Sequence, residues 1–507
     1  MSVIGSTTDT FSFYQMQMRK HACRLRYILH QLNRGELPLD DLKKNVEYAA
    51  IILESAYMDE SRRIVEEDDE VLPDVSPEDV PDEVRNWLTS TFTRQVHVKP
   101  ITRFKSVANA IRLGIMFDKI FRRSSVSGEP LAPIPENIQP YLKRIHEWDF
   151  DVFKLNEVTD NNALKYVGFE LFNQHSLLSR FKIPHAVLEK FLLQLQIGYS
   201  KHSNPYHNLI HGADVTQTCS WMLVRTGLGE MMSDLQIFGC IFAAMIHDFE
   251  HTGHTNNFHV QSYSEFALLY NDRSVLENHH ISAGFRLLKE EERNILAFIN
   301  RNDFREFRNL VIEIVLATDM STHFAQIKGM KNMLGLPESI DKVKAVSLMV
   351  HCCDISHPAK PWNLHTVWTN AVIEEFFRQG DLEASMGLPY SPLCDRNSVH
   401  VAESQIGFID FIVEPSMLVC GEMLIKMVEP LVAMPSENGS IADVASNGVT
   451  EDQEEKIVSR PRSTVPITAD GKLNIPQPWI DLMHSNKSVW KEQAAKDEAK
   501  RKSEGQQ

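Results

Sequence analysis

The stretch Asn204-Pro205-Tyr206-His207-Asn208-Leu209-Ile210-His211-Gly212-Ala213-Asp214-Val215 decides the fold, together with Ile246-His247-Asp248-Phe249-Glu250-His251 and the Thr252–Asn257 segment that follows. Asn204 suits an N-cap and Pro205 the first helical position. A helix begun there puts His207, His211 and Asp214 on one face, at i, i+4 and i+7. The second piece closes an apolar helix, Phe238 to Ile246, in the pair His247-Asp248, with His251 one turn on. Two His/Asp clusters at helical spacing are how a helical protein builds a metal site. Imidazole with carboxylate suits Zn²⁺, Mn²⁺ or Fe²⁺, and a carboxylate can also bridge to a harder ion such as Mg²⁺. A lone helical histidine is usually a surface or satisfied core residue; a third His/Asp segment downstream, His351 to Asp354, argues against that here.

The 507 residues suffice for one large domain with appendages, or for two to three domains. A net charge of −16 argues against a general nucleic-acid binder. Seven scattered cysteines with no CxxC pair read as reduced thiols. There is no signal-peptide core and no apolar run of membrane-spanning length, so the cytosol is the expected compartment and no membrane partner is expected. From about residue 145 to 430 apolar residues recur every three to four positions with no sustained period of two, which predicts an all-α, multi-helix domain. Residues 1–13 read as disordered, 433–475 as a polar disordered insertion, and Pro478 to Lys500 as a last helix before a charged tail, 501–507.

Charge is segregated in the N-terminal part. Residues 14–34 carry five Lys/Arg and no acid around an apolar stripe that includes Leu25 and Leu29. Residues 39–65 continue as a helix, with 39–57 a plausible contact for a homodimer. Asp59 to Glu83 then holds twelve acids, a flexible linker or a strip that folds onto something basic. Residues 99–123 return to seven Lys/Arg against the single Asp118. A basic amphipathic helix is a calmodulin target, a membrane-surface helix, or a solvated helix packed on its own domain.

Further polar residues stand in apolar surroundings: Glu277, Thr318, Asp354, and Gln405 one turn before Phe408. The series His207-Asn208-Leu209-Ile210-His211, His247-Asp248-x-x-His251-x-x-x-x-Asn256, LENHH (276–280), ATDM (317–320), CDISHP (353–358) and SQIGFIDFIVEP (404–415) resembles, in order, the class I cyclic nucleotide phosphodiesterases. The N-terminal part is similar to the calcium/calmodulin-stimulated branch at LDDLKKNVEYAAIILESAYMDESRR (39–63) and VRNWLTSTFTRQ (84–95).

The resemblance implies an HD-type helical catalytic domain over 141–432 and 476–500, and a calmodulin-binding, autoinhibitory region over 14–140, in which residues 14–123 would restrain the catalytic domain until Ca²⁺-calmodulin captures the helices near 16–34 and 103–123. His211, His247, Asp248 and Asp354 would hold Zn²⁺, and Asp248 would bridge to Mg²⁺, with Mn²⁺ an alternative. His251, Glu277 and Thr318 would orient the waters. His207 would be the general acid. Tyr206, His357, Val372, Leu393, Gln405 and Phe408 would form the nucleotide pocket, with His357 near Gln405 allowing either amide face and so both cAMP and cGMP. Arg19, Lys20, Arg24, Leu25, Arg26 and Leu29, and Arg103, Phe104, Lys105, Ile111, Arg112, Ile115, Phe121, Arg122 and Arg123, would bind Ca²⁺-calmodulin. Val372 is smaller than the family's usual aliphatic residue, and Gly212 stands where alanine is commoner, with little effect expected. Two other readings are a nucleotidase of the same H…HD…D type and a catalytically silent calmodulin-binding scaffold.

Overall fold

The computed structural model describes residues 82–92, 134–336, 340–433, 466–468 and 472–504. Both basic segments, the 39–65 helix, residues 1–13 and most of 433–475 lie outside the described residues. Helix α1 is Asp82–Phe92. The main body then runs through α2 (Gln139–Leu142), α3 (Val152–Val158), α4 (Ala163–Gln174), α5 (Leu177–Arg180), α6 (His185–Tyr199), α7 (Leu209–Arg225) and α8 (Asp234–Ile246). It continues with α9 (Asn256–Gln261), α10 (Glu265–Tyr270), α11 (Val275–Leu287), α12 (Arg301–Leu316), α13 (His323–Leu334) and α14 (Lys342–Asp354). Last come α15 (Trp362–Ser385), α16 (Val401–Phe408), α17 (Glu414–Ala433) and α18 (Trp479–Glu504). The chain is all-α: among the described residues the only β feature is an isolated bridge, Ile467 to Leu473. That bridge and buried Ile475 show that the end of the expected insertion belongs to the folded body.

Helix α8 is the axis of the core. Ser233 and Gln236 close a reciprocal capping box at its start. Every residue from Ile237 to Ile246 is buried. A helix apolar on all sides must be surrounded, and α4, α7, α12 and α14 pack around and beside it. Phe172, Phe181 and Phe307 set their rings against Phe238 at centroid distances of 4.9–5.4 Å, and Phe307 and Phe191 flank Phe242 at 5.3 and 5.8 Å. The apolar ring fixes where α8 ends, and hence where His247 and Asp248 emerge.

Two glycines permit close approaches near the site. A Cβ on Gly198 would lie 2.0 Å from the Phe249 ring, next to Asp248. A Cβ on Gly380 would lie 2.0 Å from the Cys394 carbonyl oxygen, so α15 holds the loop bearing Leu393 only because this residue has no side chain.

The C-terminal helix straps the far side. Asn486 is buried and donates from Nδ2 to the carbonyls of Pro358 and Lys360, both at 2.8 Å, gripping the turn His357–Ala359. Trp490 Nε1 donates to His365 Nε2 at 2.7 Å. Beneath the turn, buried Lys360 donates to Thr218 Oγ1 at 3.0 Å and lies 4.3 Å from the Trp148 ring centre. Ion pairs Lys487–Asp410 and Arg501–Glu403, and a hydrogen bond between His484 Nε2 and Glu414 Oε1 at 3.0 Å, tie α18 to the α16–α17 segment.

Gly198→Ala forces Phe249 out of place, and the stability measured by urea unfolding falls by about 1–3 kcal/mol. Burial drives the His365 imidazole down to about 3. In the unfolded chain it takes a proton near 6.5, so the unfolded state binds more protons between these values. Stability is therefore complete above about pH 6.5 and is lost as the pH falls, by about 2 kcal/mol at pH 5 from this residue. Urea midpoints at pH 7 and pH 5 measure the loss, and His365→Gln reduces it.

Candidate active site

Helix α7 begins later than its sequence suggests. Asn208, not Asn204, is the N-cap, its Oδ1 accepting from Ile210 N at 2.9 Å. Asn204 instead donates to the carbonyls of His207 (2.9 Å) and His251 (2.7 Å). Tying these two loops together outweighs capping, and His207 sits in a turn before the helix rather than on the face of His211.

His211 in the first turn of α7, His247 and Asp248 at the end of α8, and Asp354 at the end of α14 converge. His211 Nε2 is 3.1 Å from His247 Nε2, 3.2 Å from Asp248 Oδ2 and 3.0 Å from Asp354 Oδ1. His247 Nε2 is 3.1 and 3.3 Å from the same two oxygens. Four donors with edges near 3 Å surround a centre about 2 Å from each, the bond length of a transition-metal ion to imidazole and carboxylate. The His247 Nδ1–H donates to Ala244 O at 2.8 Å, which leaves the Nε2 lone pair facing the cluster. Burial disfavours charge on His247, but Asp248 and Asp354 overcome this and raise its affinity for protons well above the ordinary range. Both carboxyls stay ionised despite burial, held down chiefly by His247. Two carboxylates and two imidazoles packed this closely demand positive charge, which a divalent cation supplies.

Beside the cluster, Glu375 Oε2 accepts from the backbone N–H of Tyr206 (2.9 Å) and His207 (3.0 Å), and Oε1 pairs with His207 Nδ1. The other nitrogen, Nε2, lies 3.9 Å from Asp248 Oδ2. Burial would lower the His207 pKa, yet Glu375 and then Asp248 lift it to about 9. His251 stacks on His207 with centroids 3.8 Å apart, and burial and the His207 charge keep it neutral. Asn256 Nδ2 donates to both Glu277 oxygens at 3.1 and 3.0 Å. Burial and Asp319 push the Glu277 carboxyl up to about 8. Thr318 Oγ1 donates to Val315 O at 2.9 Å, and His280 Nε2 is 3.6 Å from Asp248 Oδ1.

The expected nucleotide pocket is only partly assembled as anticipated. Gln405 is buried on α16, and its Oε1 accepts from Thr369 Oγ1 at 3.3 Å. His357 reaches this network through His365, at 3.0 Å between Nδ1 atoms, and His365 Nδ1 is 3.4 Å from Thr369 Oγ1. Tyr206 lies between the two regions, its ring 4.7 Å from His211 and 6.0 Å from His357. Half-buried Val372 joins the main core. Leu393 instead belongs to a separate cluster with Val84, Trp87 and Leu88 of α1. Phe408 borders both, and a π-turn, Ile409–Val413, follows it directly. Such turns accompany functional sites because the extra residue re-aims the preceding side chains.

Glu375, Thr369 and His365 were not singled out in the sequence. A signal was present: His365, Thr369, Glu375, Gln379 and Glu383 recur along α15 and are all buried, a polar stripe in the interior. Gly212 has a packing reason that propensity does not give, since a Cβ there would lie 2.9 Å from the Tyr199 ring. The Tyr199 hydroxyl donates to Met245 O at 3.1 Å and accepts from Asp248 N at 3.3 Å.

Comparison with known proteins agrees with this geometry. The family profile described as 3'5'-cyclic nucleotide phosphodiesterase matches residues 206–434, and that of its N-terminal region matches 63–119. The chain is 60% identical over 492 residues to a Caenorhabditis elegans protein named probable 3',5'-cyclic phosphodiesterase pde-1, covering 94% of this chain and 74% of the relative. It is 50% identical over 500 residues to the human dual specificity calcium/calmodulin-dependent 3',5'-cyclic nucleotide phosphodiesterase 1C, covering 95% and 69%. Among solved structures, the phosphodiesterase domain of the RhoPDE fusion protein from the choanoflagellate Salpingoeca rosetta matches with a TM-score of 0.56 at 26% identity, over 70% of this chain and 97% of that one. With four metal-type donors at one point, a histidine–glutamate pair beside them and this degree of kinship, the chain belongs to the metal-dependent 3',5'-cyclic nucleotide phosphodiesterase family.

Proposed function

We propose that this enzyme hydrolyses cAMP and cGMP to the nucleoside 5'-monophosphates and that Ca²⁺-calmodulin stimulates it. The observation that carries the reading is the four-donor cluster with the His207–Glu375 pair against it. His211, His247, Asp248 and Asp354 would hold Zn²⁺, and Asp248 would also serve Mg²⁺, with Mn²⁺ an alternative. When bound, the two ions supply an activated water and neutralise charge on the phosphate oxygens.

The remaining work falls to the protein. His207 gives its Nε2 proton to the departing O3' as the P–O3' bond breaks, and Glu375 on Nδ1 fixes the ring and keeps it charged until then. Glu277, Thr318 and His251 would orient the waters. Gln405 hydrogen-bonds the purine edge, and Phe408 stacks on its face. Dual specificity has a physical basis in Thr369. A hydroxyl donates or accepts equally well, so the Gln405 amide can turn over without losing its support. One orientation reads the N6 donor and N1 acceptor of adenine, the other the O6 acceptor and N1 donor of guanine.

Residues 16–34 and 103–123 are the calmodulin-binding segments in this reading; their support is their basic amphipathic pattern and the names of the relatives. The cytosol is the proposed compartment, in keeping with six buried free cysteines among the described residues, and residues 39–57 are proposed as a homodimer contact. Among the described residues no single helix is long and apolar enough to cross a membrane.

Purified full-length protein with Mg²⁺ converts both cyclic nucleotides to 5'-monophosphates, faster with Ca²⁺-calmodulin. No turnover in metal-loaded protein overturns the catalytic reading, and unstimulated turnover overturns only the regulatory one. His207→Ala lowers kcat by about 10²–10⁴-fold, with metal content by elemental analysis unchanged. Asp354→Asn loses metal and activity together, so the two variants separate proton donation from metal holding.

A further inference from the structure

Helix α1 presents one apolar face to the body of the enzyme. Val84, Trp87 and Leu88 recur at i, i+3 and i+4 and are buried at 1%, 7% and 0% exposure. They pack with Ile355, Leu393 and Ile412, and with the edges of Met320, Phe376, Phe408 and Phe411. The Trp87 ring is 5.6 Å from that of Phe408, tilted by 58°. Three parts of the site therefore share this cover: Ile355 follows the ligand-type Asp354, Met320 follows Thr318-Asp319, and Phe408 follows Gln405 by one turn.

On the phosphate side, the His207 side chain keeps 22% exposure and that of Asp354 keeps 16%. On the base side, Leu393 retains 2% and shares one apolar cluster with Val84, Trp87 and Leu88 of α1, while half-buried Phe408 has the Trp87 ring against it. A side chain that grips a purine must offer a face to it, and here the face is already filled by part of the same chain.

We propose that α1 is a resident competitor for the base subsite: Trp87 and Leu88 occupy the apolar surface of Leu393 and Phe408 that the purine needs, and the helix must lift before the nucleotide seats fully. The proposal rests on the assignment of Leu393 and Phe408 to the base pocket. It gives the N-terminal region a defined point of action, since the basic segment 103–123 lies shortly downstream of Phe92 and a partner that captures it pulls on α1. The apparent KM of an enzyme whose competent form is a minor population rises in inverse proportion to that population. Inhibition of this kind acts on KM and leaves the proton transfer and metal chemistry intact.

The test is the double variant Trp87→Ala/Leu88→Ala in the full chain, with Asn86→Ala on the exposed side of α1 as control. Without calmodulin, the double variant lowers KM for cAMP by roughly threefold to tenfold, changes kcat little and responds less to calmodulin, while the control behaves as wild type. An unchanged or raised KM overturns the proposal, a raised value meaning that α1 is a wall of the pocket rather than its occupant. Hydrogen exchange of wild-type residues 82–92, with and without saturating 5'-AMP, gives a readout independent of turnover. Faster exchange with nucleotide supports displacement; unchanged or slower exchange overturns it. Calmodulin titration of both proteins separates the outcomes further: failure to bind removes the regulatory reading of the basic segments, while the basal KM and exchange results still decide the role of α1.

Discussion

Two imidazoles and two carboxylates are held in this fold with their ligating atoms about 3 Å apart, and the rest of the structure serves that crowding. Such an arrangement is costly without a cation, because ionised groups buried together lose hydration that only a close opposite charge restores. The protein assembles it from the ends of helices. Asp354 terminates α14, His247 and Asp248 terminate α8, and His211 lies in the first turn of α7. Each helix is anchored by an apolar body, so its end is rigid, and side chains on rigid ends keep their aim. The glycine at 198 and the Tyr199 hydroxyl beside Asp248 belong to the same design.

The His207–Glu375 pair depends on this centre electrostatically. Glu375 is one source of the raised proton affinity of His207, and Asp248 is another. A cation bound to Asp248 withdraws part of that second contribution. Burial works against charge on Glu375, but the facing His207 imidazole, and then the backbone N–H bonds from His207 and Tyr206, hold its pKa down and its carboxylate in place. The neutral His251, stacked on His207, shields it without competing for the proton.

Periodicity and the His/Asp spacings were enough to read the all-α class, because one period persists over nearly 300 residues and nothing competes with it. Spacing alone gathered His207, His211 and Asp214 with His247, Asp248 and His251 as metal-type residues; the family resemblance separated out the four that converge, Asp354 among them, because helical spacing does not say which side chains from distant helices meet. The boundary of α7 was not, since Asn204 and Asn208 are equally good caps locally and only the distant His251 carbonyl decides between them. Glu375 escaped because a glutamate in a long helix reads as surface, and its burial is a property of what packs over it. The proximity of α1 to Leu393 was illegible altogether: about 300 residues separate them, and an amphipathic segment does not announce which surface it covers.

The strap formed by α18 has a consequence for how the chain divides. Every ligand-type residue and the acid–base pair precede Ala433, yet the side chains that steady the turn of His357 and the imidazole of His365 come from Asn486 and Trp490. The residues of chemistry and of recognition are thus all encoded before the brace that steadies them. A product ending after α17 keeps each of them but loses the support behind the base-reading amide and uncovers the core that Trp479, Met483 and Trp490 fill. Cleavage between residues 433 and 476 would therefore cost stability and base recognition together, although it removes no residue of the site.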